Sequence, residues 1–236
     1  MFVRAASLVC VMALAAVLVP SAAYAGPIVR FEVANVGTFD IQLYDSTPLT
    51  TANFLNYVNN GRYDNSFIHR SMPGFVLQGG GFYWVGPTTY DAVPSYGTIL
   101  NEASLTRSNL TGTIAMAKVD GDPNSATCEW FINLADNGGT SPDGLDYQNG
   151  GFTTFGSVVA GWDTVLAIEG YDVWNASAYD PAWDNLPLRP TFDDTGPLYV
   201  SDFVNISHAY VMPEPATLGL LAVGGLALLR RRRGRK

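Results

Sequence analysis

The sequence has few cysteines, few histidines and few basic residues. Its 236 residues include two Cys, two His and 13 Lys or Arg, against 21 Asp or Glu. Because Cys10 lies in the apolar N-terminal segment, the rest of the chain keeps only Cys128 and has no internal disulfide, so its stability must come from a packed core. Neither His69 nor His208 stands in a motif that would make it a general base for Cys128. We therefore expect Cys128 to be a packed residue.

The few basic residues are concentrated at the two ends of the chain. Arg4 and six residues of the C-terminal tail account for seven of the 13, which leaves six basic residues against twenty acidic ones in residues 26–211. The net charge of this middle part is near −14. Such a surface repels phosphate backbones and anionic lipids, so we expect no nucleic-acid binding. The same charge favours solubility outside the cell, and we expect a monomer.

The apolar run near the N-terminus has the layout of a secretory signal peptide. Arg4 precedes an apolar core at 5–19, and Ala23-Tyr24-Ala25 fits a small-x-small cleavage site before Gly26. A buried N-terminal helix is less favoured because no polar face interrupts the run. We predict that signal peptidase removes residues 1–25 and that a single domain spans residues 26–211.

A second apolar run, at 216–229, follows Pro213-Glu214-Pro215 and precedes a basic tail. A helix of this length spans about 21 Å, short of the roughly 30 Å hydrocarbon core. The three-part layout of residues 212–236 resembles the PEP-CTERM sorting signal. That resemblance implies transient membrane association, processing by an exosortase and a domain left at the cell surface, in the matrix or in the medium. A simple tail anchor is the alternative interpretation.

The middle of the chain has the pattern of a mainly β protein. Alternating residues at 28–34 and 38–44 flank Asn35-Val36-Gly37 and predict a hairpin. Apolar spacing predicts helices at 53–59 and 162–168, and Pro48 after a Ser46-Thr47 cap is expected at the first position of the first helix. Further short strands are predicted at 66–69, 74–78, 112–117, 130–134, 154–159 and 201–208. The proline-rich segment 171–190 is predicted to be an irregular excursion, a segment without regular secondary structure.

The segment 63–81 contains the main candidates for catalytic and binding residues. Alternation alone places Ser66, Ile68 and Arg70 on one face of a strand. In the next strand it places Phe75 and Leu77 on one face and Val76 and Gln78 on the other. From these residues alone, a structural ion pair is the favoured role for Arg70. No helix follows Gly79-Gly80-Gly81, so close backbone packing is favoured there over a phosphate loop.

The stretch from Phe67 to Gly80 resembles the signature of the cyclophilin-type peptidyl-prolyl cis-trans isomerases, in which Phe-His-Arg is followed by Gly-Phe and Gln-Gly-Gly. Further blocks occur in that family's order, and the resemblance extends over roughly residues 27–170. These blocks are 101–102, 112–117, 125–127, 130–133 and 150–156. The resemblance implies a closed eight-stranded antiparallel barrel capped by two helices. It also implies a surface groove that isomerises Xaa-Pro bonds of exported proteins and assists their folding.

The resemblance also implies the roles of individual residues. Arg70 matches the catalytic arginine, and Gln78 matches the glutamine of the groove. Ala117 and Lys118 stand where the backbone pairs with the substrate, and neither a metal nor a cofactor is required. The wall of the proline pocket is matched by Phe75, Val76, Phe131 and Leu145. Two further positions of the groove are occupied by Glu129 and Phe152.

Some positions depart from the family pattern. Glu129 replaces the usual glutamine, and we expect its carboxylate to lie near enough to Arg70 to pair with it. Phe152 stands where other members have His or Tyr, Lys118 replaces Asn or Arg, and the connection 119–124 is one residue longer. These departures leave a second hypothesis open, a peptide-binding module of the same fold with little or no turnover. His69 is expected to point away from the groove.

Overall fold

The computed structural model describes residues 26–193 and 197–213. The predicted signal peptide, 1–25, and all but the first two residues of the predicted sorting signal therefore lie outside the described residues. Within the described ranges, no helix has the length and apolar character needed to cross a membrane.

The described residues form thirteen strands, two α-helices and three short 3-10 turns. The first strands and helix are β1 Ile28–Val33, β2 Gly37–Leu43, α1 Pro48–Asn59, β3 Ser66–Ile68, β4 Arg70–Met72, β5 Val76–Gly79, β6 Phe82–Trp84 and β7 Tyr90–Ala92. The remaining ones are β8 Thr113–Met116, β9 Trp130–Asn133, β10 Thr154–Ala160, α2 Trp162–Glu169, β11 Val173–Trp174, β12 Leu186–Pro187 and β13 Val204–Val211. The 3-10 turns are Gln148–Gly150, Pro181–Trp183 and Val200–Asp202.

Eleven of these strands form one antiparallel sheet that curls into a barrel. Its order is β4-β5-β9-β8-β10-β2-β1-β13-β3-β6-β7. The order begins with β4 and reaches β3 after seven intervening strands, and only His69 separates β3 from β4 in the chain. The sheet therefore closes on itself at His69. The mainly β fold and the two helices agree with the sequence prediction, but the strand count differs from eight. The additional strands arise because one strand is interrupted at His69 and because β6 and β7 form an appended hairpin.

The hairpin of β1 and β2 shows how the sequence pattern builds the core. Phe31 and Phe39 are cross-strand partners, and their rings stack with centroids 4.9 Å apart. Both side chains are fully buried, as alternation predicts for a sheet with one face on the core. Asn35 takes a positive φ of 59°, which asparagine tolerates better than most residues, and turns the chain between the strands.

A large aromatic residue, Trp130, fills the barrel beside two glycines. Its side chain is fully buried. A Cβ on Gly79 would lie 3.1 Å from Trp130 Cζ2, and one on Gly80 would lie 2.8 Å from Trp130 Nε1. Gly80 also has a φ of +81°, a conformation that L side chains rarely adopt. The close backbone packing expected at this glycine run is therefore present, and its partner is the indole of Trp130.

Helix α1 begins at Pro48, the residue predicted for its first position, but the Thr47 side chain before it makes no capping hydrogen bond. Its first turn is capped from a distant part of the chain, since the Glu102 carboxylate accepts the backbone N–H groups of Leu49 at 3.2 Å and Thr50 at 2.8 Å. A carboxylate at a helix N-terminus also complements the helix dipole. Helix α2 was predicted at 162–168 and ends one residue later, before Gly170.

The described residues of the segment 171–203 form a second, smaller aromatic core on the outside of the barrel. Trp183 is its centre and is almost fully buried, packing against the rings of Phe67, Tyr90 and Phe203. The backbone N–H of Ser71 in β4 donates to the carbonyl of Asn185 at 2.8 Å. The predicted irregular excursion is therefore anchored, and it lies alongside the strand that carries Arg70.

Candidate active-site groove

A cavity of about 330 Å³ opens on the outside of the barrel. Its apolar wall is a cluster separate from the barrel core, built from Val76, Ala115, Phe131 and Leu145 with Phe75, Ala117 and Phe152 packed against them. All ten site residues predicted from the sequence line this cavity. They are Arg70, Phe75, Val76, Gln78, Ala117, Lys118, Glu129, Phe131, Leu145 and Phe152.

Three neighbouring strands bring the central residues together. Arg70 of β4 is the cross-strand partner of Gln78 of β5, and Gln78 is in turn the partner of Phe131 of β9. Residues directly opposite each other on adjacent strands have their Cβ atoms about 5 Å apart, so these side chains share one surface. The geometry of the sheet thus places the guanidinium beside the apolar wall.

Two expectations about strand faces were wrong. Ile68 packs in the barrel core, whereas Arg70 lines the outer cavity, because the interruption at His69 changes the alternation. Phe75 also lines the cavity with Val76 rather than joining Leu77 in the core, because Phe75 precedes β5 and lies in the turn. Val76 and Gln78 do take the face opposite to Leu77, as predicted.

The polar side of the cavity is a short chain of hydrogen bonds. Arg70 Nη1 donates to Gln78 Oε1 at 3.3 Å, and Gln78 Nε2 donates to Glu129 Oε2 at 2.7 Å. Glu129 Oε2 also lies 3.5 Å from His69 Nε2. The expected direct pairing of Glu129 with Arg70 was wrong: among the described residues, the carboxylate reaches the arginine only through Gln78. The reason is that the Gln78 side chain lies between the two.

The environment of Glu129 favours its ionised form. Burial raises the pKa of this carboxyl, but hydrogen bonds from His69 and Gln78, with the charges of His69 and Arg70, outweigh burial and hold the pKa below its ordinary value. A Cβ on residue 81 would lie 2.9 Å from Glu129 Oε1, so Gly81 leaves room for the carboxylate. Glu129 is therefore held as an anion next to Gln78.

The Lys118 side chain is already hydrogen-bonded within the protein. Its Nζ donates to the carbonyls of Asn149 and Gly151, each at 2.7 Å, and lies 4.6 Å from the centre of the Phe152 ring. Burial lowers the pKa of Lys118 to about 8. By contrast, its backbone N–H and C=O have no backbone partner in the part of the chain that the structure describes. These groups are available to an extended ligand.

Three residues of the cavity were not predicted. His69 was expected to point away, but its buried ring lies at the floor against Glu129 and the Phe82 ring. Ala182 and Asp184 come from the segment 171–190. The only signal in the sequence is Trp183 between them, which is buried in the structure. A tryptophan in an irregular segment indicates that the segment packs on the domain, but not which residues it contacts.

Comparison with known proteins bears on what this groove does. Residues 28–184 match the family described as cyclophilin type peptidyl-prolyl cis-trans isomerase/CLD. The chain belongs to this family. Its activity is accordingly peptidyl-prolyl cis-trans isomerisation, for which the family's members are named.

Individual members of the cyclophilin family agree with this assignment. A peptidyl-prolyl cis-trans isomerase of Acinetobacter baylyi is 37% identical over 153 residues, which cover 64% of this chain and 77% of that protein. Peptidyl-prolyl cis-trans isomerase B of Escherichia coli is 39% identical over 135 residues, covering 57% and 77%. The crystal structure of a Cryptosporidium parvum cyclophilin superposes with a TM-score of 0.55 at 22% identity, covering 80% of this chain and 99% of that one. This last likeness concerns the fold alone.

The C-terminal end also has a match. Residues 213–233 correspond to the PEP-CTERM protein-sorting motif. The cyclophilin domain is therefore part of an exported protein with a C-terminal sorting tail.

Proposed function

We propose that the groove isomerises Xaa-Pro bonds of exported polypeptides, with Arg70 as its catalytic residue. The observation that carries this proposal is the placement of the Arg70 guanidinium at the edge of an apolar pocket that is separate from the barrel core. Val76, Phe131 and Leu145, with Phe75, would hold the proline ring. In this proposal the apolar wall holds the proline ring, and Arg70 on the polar side acts on the bond that rotates.

Isomerisation requires rotation about an amide bond and no bond cleavage. The barrier is about 18 to 20 kcal/mol because the planar amide is stabilised by resonance. When the bond twists, the proline nitrogen becomes pyramidal and gains a lone pair that the planar ground state does not offer. A guanidinium N–H beside that nitrogen then donates a hydrogen bond to the transition state only. Such differential binding accelerates the reaction, and shielding by the apolar wall strengthens it.

The remaining groove residues would orient the arginine and the chain. Because Glu129 is an acceptor only, it holds the Gln78 amide with its nitrogen toward Glu129 and its oxygen toward Arg70. Gln78 thereby fixes the direction of the guanidinium. The free backbone N–H and C=O of Lys118, together with Ala117, would pair with the residues next to the proline.

The binding-module alternative loses its main support. It was motivated by the expectation that Glu129 would draw Arg70 away from the groove through a direct ion pair. Arg70 instead contacts Gln78, its neighbour on the same face, and lines the cavity together with the apolar wall. The enzymatic function is therefore the one that the geometry supports best.

A direct experiment is cis/trans exchange of an Ala-Pro peptide followed by NMR exchange spectroscopy. The full mature protein should accelerate exchange well above the uncatalysed rate, which corresponds to tens to hundreds of seconds at 25 °C. Exchange that stays at the uncatalysed rate while the peptide binds would favour the binding module.

We further propose where the protein acts. Residues 1–25 would direct export and be cleaved, and the tail that begins with the PEP-CTERM motif would be processed by an exosortase after transient membrane insertion. The domain would then act at the cell surface, in the extracellular matrix or in the medium. Its client polypeptides would be proline-containing proteins of those places.

A further inference from the structure

The segment 182–184 adds an acidic wall to the groove. Ala182 and Asp184 line the same cavity as Arg70 and Phe75, although they follow β10, the preceding strand of the barrel, by more than twenty residues in the chain. Asp184 is exposed to solvent at the cavity. A peptide seated on the apolar wall would therefore pass near this carboxylate.

The position of Asp184 is fixed by its neighbours. The preceding residue, Trp183, is 1% exposed, and its ring centre lies 4.3 Å from that of Tyr90. On one side the Asp180 side chain accepts the N–H of Ala182 at 2.9 Å, and on the other the carbonyl of Asn185 accepts the N–H of Ser71 at 2.8 Å. The Asp184 carboxylate is thus carried by an anchored turn, so its place beside the groove does not depend on a ligand.

The other charged groups of the groove already have partners. Arg70 donates to Gln78, and Glu129 accepts from Gln78 and lies near His69. Lys118 donates to two backbone carbonyls. Within the described ranges, the Asp184 carboxylate alone among these groups has neither a hydrogen bond nor an ion pair from the protein. It is the anionic group of the groove that remains available to a ligand.

We infer that Asp184 forms a subsite that selects substrates carrying a Lys or Arg side chain close to the isomerised proline. This inference rests on the proposed function and adds a substrate class to it. A cationic side chain would pair with the unpartnered carboxylate, whereas an acidic side chain would meet like charge there and at Glu129. The net charge near −14 of residues 26–211 acts in the same direction, because it draws cationic polypeptides toward the domain.

The test compares peptides that differ in one charge. Lys, Gln or Glu is placed in turn at each of the two positions before and after the Xaa-Pro pair of an alanine-based peptide. Catalysed exchange is measured by NMR under conditions that report kcat/KM, and affinity is measured by titration of the same peptides. The proteins are the mature wild type, Asp184→Asn, Asp184→Lys and Asp163→Asn. The last variant removes an exposed carboxylate of α2 that does not line the groove, and so controls for net charge.

We expect the wild type to prefer Lys over Glu by about twofold to fivefold in at least one position, the range of an exposed ion pair. Asp184→Asn should reduce that ratio to the part contributed by Glu129 and the net charge, and Asp184→Lys should lower it further. The ratio should also shrink at high salt, because exposed charges are screened. Asp163→Asn should keep the wild-type ratio and the wild-type rate.

Two results would overturn the inference. One is a Lys-to-Glu ratio of one at all four positions in a wild type that accelerates the Gln peptides. The other is an Asp184→Asn variant that slows the Lys, Gln and Glu peptides by the same factor, which would mean that Asp184 acts on Arg70 and not on the substrate's charge. If the wild type accelerates none of the peptides, the proposed function fails, and the titrations alone then decide whether the charge preference exists.

Discussion

At the scale of single residues, the groove depends on which side chains touch. The ten residues proposed for it could be named from the sequence because the order of short blocks identifies the family: four of them lie in 67–80, and the others lie within or between the later blocks. Their contacts could not be named. Whether Glu129 reaches Arg70 or Gln78 depends on cross-strand distances of a few ångströms, and the alternation rule failed at His69, where the strand is interrupted.

The network around Glu129 has a consequence for stability in acid. A carboxyl whose pKa is lowered in the folded protein stabilises the fold above its unfolded pKa, here near 4.5, and that stabilisation is lost as the pH falls through the folded value. We expect the free energy of unfolding, measured with urea, to fall more between pH 7 and pH 3 in the wild type than in Glu129→Gln. Equal losses in both proteins would show that the hydrogen bonds of Glu129 do not stabilise its charged form.

At the scale of elements, the strands were easier to predict from the sequence than the segment 171–203. Strands β1 and β2 alternate apolar and polar residues, so their existence and approximate bounds follow from the sequence, whereas β6, β7, β11 and β12 were not predicted. The start of helix α1 follows from Pro48, but its cap was predicted at Ser46-Thr47 and is instead Glu102, which comes from another part of the chain. The segment 171–203 has no periodic pattern, and the aromatic packing that anchors it is visible only in three dimensions.

The anchor of that segment is Trp183. We expect Trp183→Ala to lower the free energy of unfolding by about 3–5 kcal/mol, the cost of emptying a large buried site. The matched control is Trp174→Ala, because Trp174 is 36% exposed on β11 and packs mainly against Phe192. Urea unfolding should show a much smaller loss for the control. Similar losses for both variants would mean that the segment 171–203 is not held by its aromatic core.

At the scale of the whole molecule, the two ends and the domain between them have separate tasks. Residues 26–211 carry a strong negative charge and, in their described part, a single buried cysteine, so a hydrophobic barrel and not a disulfide must stabilise them. The basic residues outside the domain belong to the segments that we propose are removed. Such processing would change the charge of the molecule as well as its length.

Removal of the two ends can be tested by measuring the mass of the intact protein isolated from the culture medium and from the cell envelope. We expect the mature form to start near Gly26 and to lack the basic tail that ends at Lys236. A mature protein that keeps the tail would support a simple anchor and contradict sorting with cleavage.

The most direct test of the account is the catalysed exchange rate of an Ala-Pro peptide with Arg70→Ala. Arg62→Ala serves as a control, because it removes the same charge from a residue that contacts Tyr96 outside the groove. We expect Arg70→Ala to lower kcat/KM by about 10²-fold or more, as the loss of one preorganised donor to the transition state does, with the control at the wild-type rate. An Arg70→Ala protein that is folded and exchanges the peptide as fast as the wild type would contradict the central claim.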